Sequence, residues 1–338
     1  MDAYELAKSI SEDQEFIYGI SPQRSRDIEM FLQKSREHLM KRKEFPIVDL
    51  PKPDENDPYA VYFIGDTAGD VFSTIQLYKR FSFMKDRLTE EAIERGYGEI
   101  GVKLVFLGNY SGRPPAKLSK GGIQNLLFLL SLKMVRPDEV FLLRGNEEAR
   151  ELYDFEPFYL RKELERIFGR TLSEELIYHL YRIYDELPLF ARTPNGIISS
   201  HAGFPGVLKG GIKNLKQGDN HAIKSTVWGD PQESGTYRGE VSIETNYNRY
   251  DFERFLEWSG SNLFVRAHDP RVKGYSMYMR RLLTVVSSSR YEEKGNGGIV
   301  VARALVHPDK EIKSVDDVRL RELEDFTLHE GRIPTWKA

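Results

Sequence analysis

Cysteine is absent from the 338 residues of this chain. Its absence excludes disulfides, thiolate metal sites and a cysteine nucleophile, and with them any phosphate chemistry that proceeds through a thiol. No apolar run approaches the roughly 20 residues needed to span a bilayer. The opening "MDAYELAKSISEDQEF" has no basic segment followed by an apolar one, so no membrane association and a cytoplasmic location are expected. A surplus of basic charge is missing as well: 49 Lys and Arg stand against 52 Asp and Glu, a formal net charge of -3. Nothing in that balance favours a nucleic acid partner. No internal repeat or low-complexity tract interrupts the chain. What is present is a globular composition, 40% hydrophobic and 30% charged, long enough to bury a sizeable core.

The pattern divides the chain into three parts. Residues 1–57 read as a helical extension and connector. Within them "SPQRSRDIEMFLQKSREHLMKRKEF" sets Ile28, Phe31, Leu32 and Leu39 on one helix face, as an amphipathic flap or a packed surface helix. The proline- and acid-rich "PIVDLPKPDENDPY" then leads into the main body. From 58 to 305 short β-like runs alternate with helical segments, and 306–338 form a C-terminal tail. The runs are "YAVYFIG", "VKLVFLG", "DEVFLLRG", "GIISSHAG", "SNLFVRAH" and "RLLTVVSS". Between them "GDVFSTIQLYKRFSFMKD", "GGIQNLLFLLSLKM" and "SEELIYHLYRIYDEL" are each long enough for a helix. That alternation predicts a layered α/β domain.

The runs share a kind of ending. Asp66, Asn109, Asn146, His201 and His268 each close or follow an apolar strand, which would gather oxygen and nitrogen donors at one sheet edge. Singly each has a bland explanation, since Gly-Asn in "RGNEE" is ordinary turn chemistry and a lone histidine is usually a hydrogen-bonded structural residue. As a series at successive strand ends they indicate a site.

The ordered set "GDTAGD", "FLGNYSGRP", "LLRGNEE", "SSHAGFP", "VWGDP", "LFVRAH" and "TVVSSSRYEEKGNGG" resembles the PPP-type serine/threonine phosphoprotein phosphatases of the metallophosphoesterase superfamily. The likeness runs from about residue 58 to 305. It implies a four-layer α/β/β/α fold, a β-sandwich flanked by helices, with a metal site at the strand ends. The segment "MKDRLTEEAIERGYGEI" lengthens the interval between the first two motifs and is expected to form a surface helix.

The resemblance also implies roles. In the family two divalent metals activate water for in-line attack on phosphorus while arginines hold the phosphate oxygens. By resemblance Asp66 keeps a ligand of the first metal, and Asn146, His201 and His268 keep three ligands of the second. These donors suit manganese, iron or zinc. Arg113 and Arg238 match phosphate-holding positions, Asn146 also faces substrate phosphate, and Tyr291 matches a substrate-side tyrosine. The partners implied are a phosphoprotein substrate or ligand and a regulatory protein.

Four positions depart from the pattern. Ala68 replaces a metal-ligand histidine, Asn109 the carboxylate that bridges both metals, Gly112 an aspartate that orients the general acid, and Glu147 that acid itself, a histidine. All four fall on one chemical step, so one divalent ion, or a weakly bound one, is expected. Glu147 is a candidate general acid if burial raises its pKa, or a carboxylate for a rearranged one-metal shell. Asp70 is expected to cap the helix that follows "GDTAGD", and Glu148 to serve structure. Two readings stay open: a phosphatase with an altered centre, and a pseudophosphatase that binds phosphoproteins or protein partners without turnover.

Overall fold

The computed structural model describes residues 3–12, 15–53, 58–93, 100–150, 158–206, 211–232, 245–269, 276–291 and 299–322. The chain opens with helices α1 (Ala3–Glu12), α2 (Glu15–Tyr18) and α3 (Ser25–Arg42). Helix α3 buries Ile28, Phe31, Leu32, Ser35 and Leu39, an i, i+3, i+4 stripe. It stops at Lys43, whose left-handed φ of 52° turns the chain out of the helix. Strand β1 (Ile47–Asp49) lies inside the proline-rich connector. Strand β2 (Tyr59–Ile64) is buried at every position, as a central strand covered on both faces must be.

Helix α4 (Val71–Ile93), strand β3 (Gly101–Phe106), helix α5 (Gly121–Val135) and strand β4 (Val140–Leu142) follow. Helix α5 is buried nearly all round, which its almost unbroken apolar sequence permits. Among the described residues of the expected insertion, 84–93 continue α4 rather than starting a separate helix, because nothing in them breaks it, and 94–99 lie outside the described residues. Next come α6 (Tyr159–Phe168), α7 (Arg170–Tyr184), β5 (Phe190–Arg192), β6 (Ile197–Ser199), α8 (Asn220–Trp228) and α9 (Arg249–Ser259). A capping box from Asn248 and Asp251 starts α9. The last strands are β7 (Leu263–Arg266), β8 (Ser276–Met277), β9 (Leu282–Thr284), β10 (Val300–Val306) and β11 (Arg319–Glu322).

These strands form a six-stranded sheet, β1-β5-β6-β7-β9-β8, and a five-stranded sheet, β11-β10-β2-β3-β4. Within the second, β2, β3 and β4 run parallel; within the first, β6, β7 and β9 do. Strand alternation sorts side chains into three apolar layers. Val61, Phe63, Val105, Phe141, Val265 and Leu283 meet between the sheets. Tyr62, Ile64, Phe106 and Leu142 face the other way, onto α1 to α7. Ile198, Phe264 and Leu282 pack against α8 and α9. The result is the expected mixed α/β sandwich with helices on both outer faces. Its sheets also take strands from beyond 58–305: β1 pairs with β5 and β11 with β10. Among the described residues no helix is long and apolar enough to cross a membrane.

Candidate active site

The parallel strands of both sheets deliver their carboxyl ends to one edge. Gly65 and Asp66 follow β2, Asn109 lies three residues past β3, Asn146 four past β4, His201 two past β6 and His268 two past β7. The sheets are pinned together there. Gly65 has no room for a side chain, because a Cβ would lie 2.2 Å from the Val285 carbonyl oxygen. Its N–H donates to Ser287 Oγ at 2.9 Å, and a bridge joins Asp66 to Val286. Ala68, Asn109 and His268 all adopt left-handed φ, at 46°, 59° and 71°. Asn and His tolerate that region better than Ala, so the strain concentrates at Ala68.

Asn146, His201 and His268 come together as a set. His201 Nδ1–H donates to the Leu107 carbonyl at 2.8 Å. A carbonyl can only accept, so Nδ1 carries the hydrogen and Nε2 of the neutral ring offers a lone pair. That Nε2 stands 2.9 Å from Asn146 Oδ1 and 3.1 Å from His268 Nδ1. Metal–nitrogen bonds of about 2.1 Å put neighbouring ligand atoms about 3 Å apart. The three atoms thus have the chemistry and spacing to hold one divalent cation. Among the described residues no group of three or more His, Cys, Asp or Glu side chains is placed to do so, and this set reaches three donors only by counting an amide. Trp228 stands edge-on to His268, 5.5 Å between ring centroids, and walls that side.

The neighbouring position is built differently. Asp66 Oδ1 accepts the His268 backbone N–H at 3.0 Å, and Oδ2 accepts a hydrogen from Asn109 Nδ2 at 3.0 Å. Asn109 Oδ1 accepts the Glu147 backbone N–H at 3.0 Å. Since an N–H cannot face the NH2 end, this last bond fixes which way the amide points. A donor therefore meets Asp66 where the resemblance expects a bridging carboxylate, and Ala68 adds no ligand. The residues at this position do not suit a first metal.

Glu147 and Glu148 leave the same 3-10 turn in different directions. Glu148 is buried and accepts backbone N–H groups from Asn109 (2.7 Å), Tyr110 (2.9 Å) and Gly145 (3.1 Å). Burial pushes its pKa up to about 7. Glu147 Oε2 pairs with Arg150 at 2.6 Å, and Arg150 in turn lies 4.5 Å over the Phe158 ring. Burial raises the Glu147 pKa, with Arg150 pulling the other way. Its Oε1 lies 3.7 Å from where a Cβ on Gly112 would stand, so an aspartate there is not barred at its first carbon.

Arg113 is exposed, its guanidinium 4.8 Å over the Tyr159 ring. The backbone that carries it is held by a residue the sequence reading does not single out: Arg290 Nη1 donates to the carbonyls of Arg113 (2.9 Å) and Pro114 (3.0 Å). Asp70 caps α4 through the Ser73 N–H and also accepts from the N–H and Oγ of Ser289, tying the first motif to "SSSRY". Tyr291 ends the turn Ser289–Tyr291, but its side chain is outside the described residues, as is all of Arg238. Two further motifs explain each other, since Arg266 of "VRAH" and Asp230 of "VWGDP" form a buried ion pair at 2.7 Å. Arg150 lay three residues past Glu147 in "EEAR", a spacing that could have marked the pair.

The two-sheet α/β sandwich flanked by helices has a counterpart among solved structures. The solved structure of a protein serine/threonine phosphatase from Saccharomyces cerevisiae with similarity to human phosphatase PP5 superposes with a TM-score of 0.66, covering 94% of each chain at 19% identity. No protein-family model matches the sequence. In sequence the chain is 26% identical over 284 residues to a probable serine/threonine-protein phosphatase of Encephalitozoon cuniculi, 80% of this chain and 56% of that protein. It is 24% identical over 252 residues to serine/threonine-protein phosphatase T of Saccharomyces cerevisiae (70% and 43%). It is 28% identical over 209 residues to that yeast's serine/threonine-protein phosphatase 4 catalytic subunit (59% and 64%). Over most of its length the chain is thus similar in sequence to serine/threonine-protein phosphatases, and it shares its fold with a solved one. It spans about half the length of the first relatives it matches.

Proposed function

We propose that this chain hydrolyses phosphate monoesters of phosphoserine or phosphothreonine in a protein substrate, at a site that takes one divalent transition metal, manganese, iron or zinc. The observation that carries this reading is the convergence of Asn146 Oδ1, His201 Nε2 and His268 Nδ1 at 2.9 and 3.1 Å. A metal bound there would act as a Lewis acid on a phosphoryl oxygen and acidify a bound water. The chain's own residues set the stage. Leu107 holds His201 in the tautomer that presents Nε2. Arg113 offers a fork of N–H donors to the phosphate, and Arg290 keeps its backbone in place. Glu147 is the acidic side chain offered to the leaving alkoxide, burial favouring its protonated form and the pair with Arg150 its carboxylate. Relatives that include a phosphatase 4 catalytic subunit support a regulatory protein as a further partner.

The hydrogen bond from Asn109 to Asp66 favours a second reading, a pseudophosphatase that binds phosphoproteins without turnover. Two measurements separate them. Equilibrium dialysis with manganese should give one ion per chain for the wild type and none for His201→Ala or His268→Ala; two ions would overturn the site assignment. Phosphate release from phosphoserine and phosphothreonine peptides should be seen with manganese and vanish in His268→Ala. A wild type that binds the ion yet releases no phosphate would leave the pseudophosphatase.

A further inference from the structure

We infer that Asp66 and Asn109 form a metal-free closure of the first metal position, in which an amide N–H takes the place of a cation against a buried carboxylate. The pair is sealed: Asp66 is 2% exposed and Asn109 8%. Each residue gives one oxygen to a backbone N–H, Asp66 Oδ1 to His268 and Asn109 Oδ1 to Glu147, both at 3.0 Å. The remaining atoms, Asp66 Oδ2 and Asn109 Nδ2, face each other at 3.0 Å. A hydrogen bond to a charged acceptor is about twice as strong as a neutral one, and here it joins an acceptor to a donor that no metal needs to separate. Ala68 lies beside the pair, its N–H bonded to the Asn109 carbonyl at 2.8 Å, and brings no competing ligand. A carboxylate at 109 would instead set two like charges against each other in a buried space, which costs stability unless a cation lies between them or one carboxyl takes up a proton.

The arrangement has a symmetry that gives a direct test. Because both side chains hold a backbone N–H with one oxygen, exchanging them as Asp66→Asn with Asn109→Asp restores donor against acceptor with no change of charge. Asparagine and aspartate both tolerate the left-handed φ of position 109. The inference uses the one-metal reading only to name the position, and the assay is thermal melting in excess EDTA, without metal or substrate. Its failure would leave the Asn146, His201 and His268 assignment untouched, and a failure of that assignment would leave the closure standing.

In EDTA, Asn109→Asp should melt about 5 °C below the wild type, and the exchanged pair should recover at least half of that loss. Manganese should then raise the melting temperature of Asn109→Asp more than that of the wild type, because the new carboxylate, with Asp66, accepts an ion that Asn109 turns away. An Asn109→Asp protein as stable as wild type in EDTA, or an exchanged pair no better than the single variant, would overturn the inference. Should Asn109→Asp not fold in EDTA, a folded exchanged pair makes the same point; an exchanged pair equally unfolded overturns it.

Discussion

Glu147 and Glu148 are chemically identical neighbours with different surroundings. Glu148 is clamped by three backbone N–H groups, whereas the Glu147 carboxylate is paired with the Arg150 guanidinium, with side-chain exposures of 14% and 1% for the two partners. Removing one member of a buried pair leaves the other charge uncompensated, at a cost of about 3 kcal/mol, while removing both can be nearly neutral. Arg150→Met should therefore destabilise the protein more than the double variant Arg150→Met/Glu147→Gln does. A coupling of about 2 kcal/mol is expected from urea unfolding of the four proteins in the cycle. Additive losses would mean that Arg150 acts through contacts other than Glu147, that with Phe158 among them. At this scale the sequence was informative about position and silent about pairing. Strand ends pointed to Asp66, Asn109, Asn146, His201 and His268, but that Asn109 would turn its NH2 end toward Asp66 depends on the Glu147 N–H, whose direction only the folded turn sets.

Elements with a strong local pattern were legible, and those made by distant pairing were not. "YAVYFIG" and "VKLVFLG" are strands by composition alone; β2 lies within the first, and β3 covers most of the second, starting one residue before it. The connector "PIVDLPKPDENDPY" hides β1, three residues that become a strand only because Phe190–Arg192 lies alongside. Strand β11, in "RLRE", is likewise defined by β10. Helix termini show the same dependence. The start of α5 is capped not by its own sequence but by Glu163 of α6, whose carboxylate accepts the N–H groups of Gly122 (3.2 Å) and Ile123 (2.8 Å). Burial pushes the Glu163 pKa up to about 7 from an ordinary 4.5, against the pull of those N–H groups, Arg166 and Lys120. Between those values the folded protein holds a proton that the unfolded chain has released, so this group lowers stability as pH rises from 4.5 through 7. Glu163→Gln removes that penalty. From pH 5 to pH 8 the stability of the variant relative to wild type should rise by about 2 kcal/mol, read as urea midpoints at the two pH values. A difference independent of pH would show that Glu163 is ionised throughout.

Across the whole molecule, the outermost helices belong to the same apolar layer as the sheet. Leu6, Ala7, Ile10, Phe16, Ile17 and Ile20 are each no more than 4% exposed and share a cluster with Leu127, Phe128 and Leu130 of α5. Polar contacts close the same seam: Lys120 Nζ donates to the Ile20 carbonyl at 2.7 Å and Gln124 Nε2 to that of Ile17 at 3.1 Å. A flap would open without disturbing the body. Burial of this kind instead couples α1 and α2 to α5, because each large side chain contributes about 1.5 to 3 kcal/mol through its lost contact with water. Summed over the larger residues, that is on the order of 10 kcal/mol, comparable with the total stability of an ordinary domain. Removing residues 1–20 should then lower the melting temperature by more than about 10 °C or prevent folding, not merely uncover the site. Hydrogen exchange on the intact chain checks the same point without truncation. The amides of α3 and α5 should open with one free energy, that of global unfolding. Faster exchange in α3 at an unchanged α5 would make the N-terminal helices a separable cover, and access to the Asn146, His201 and His268 edge would then have to be measured with that cover open.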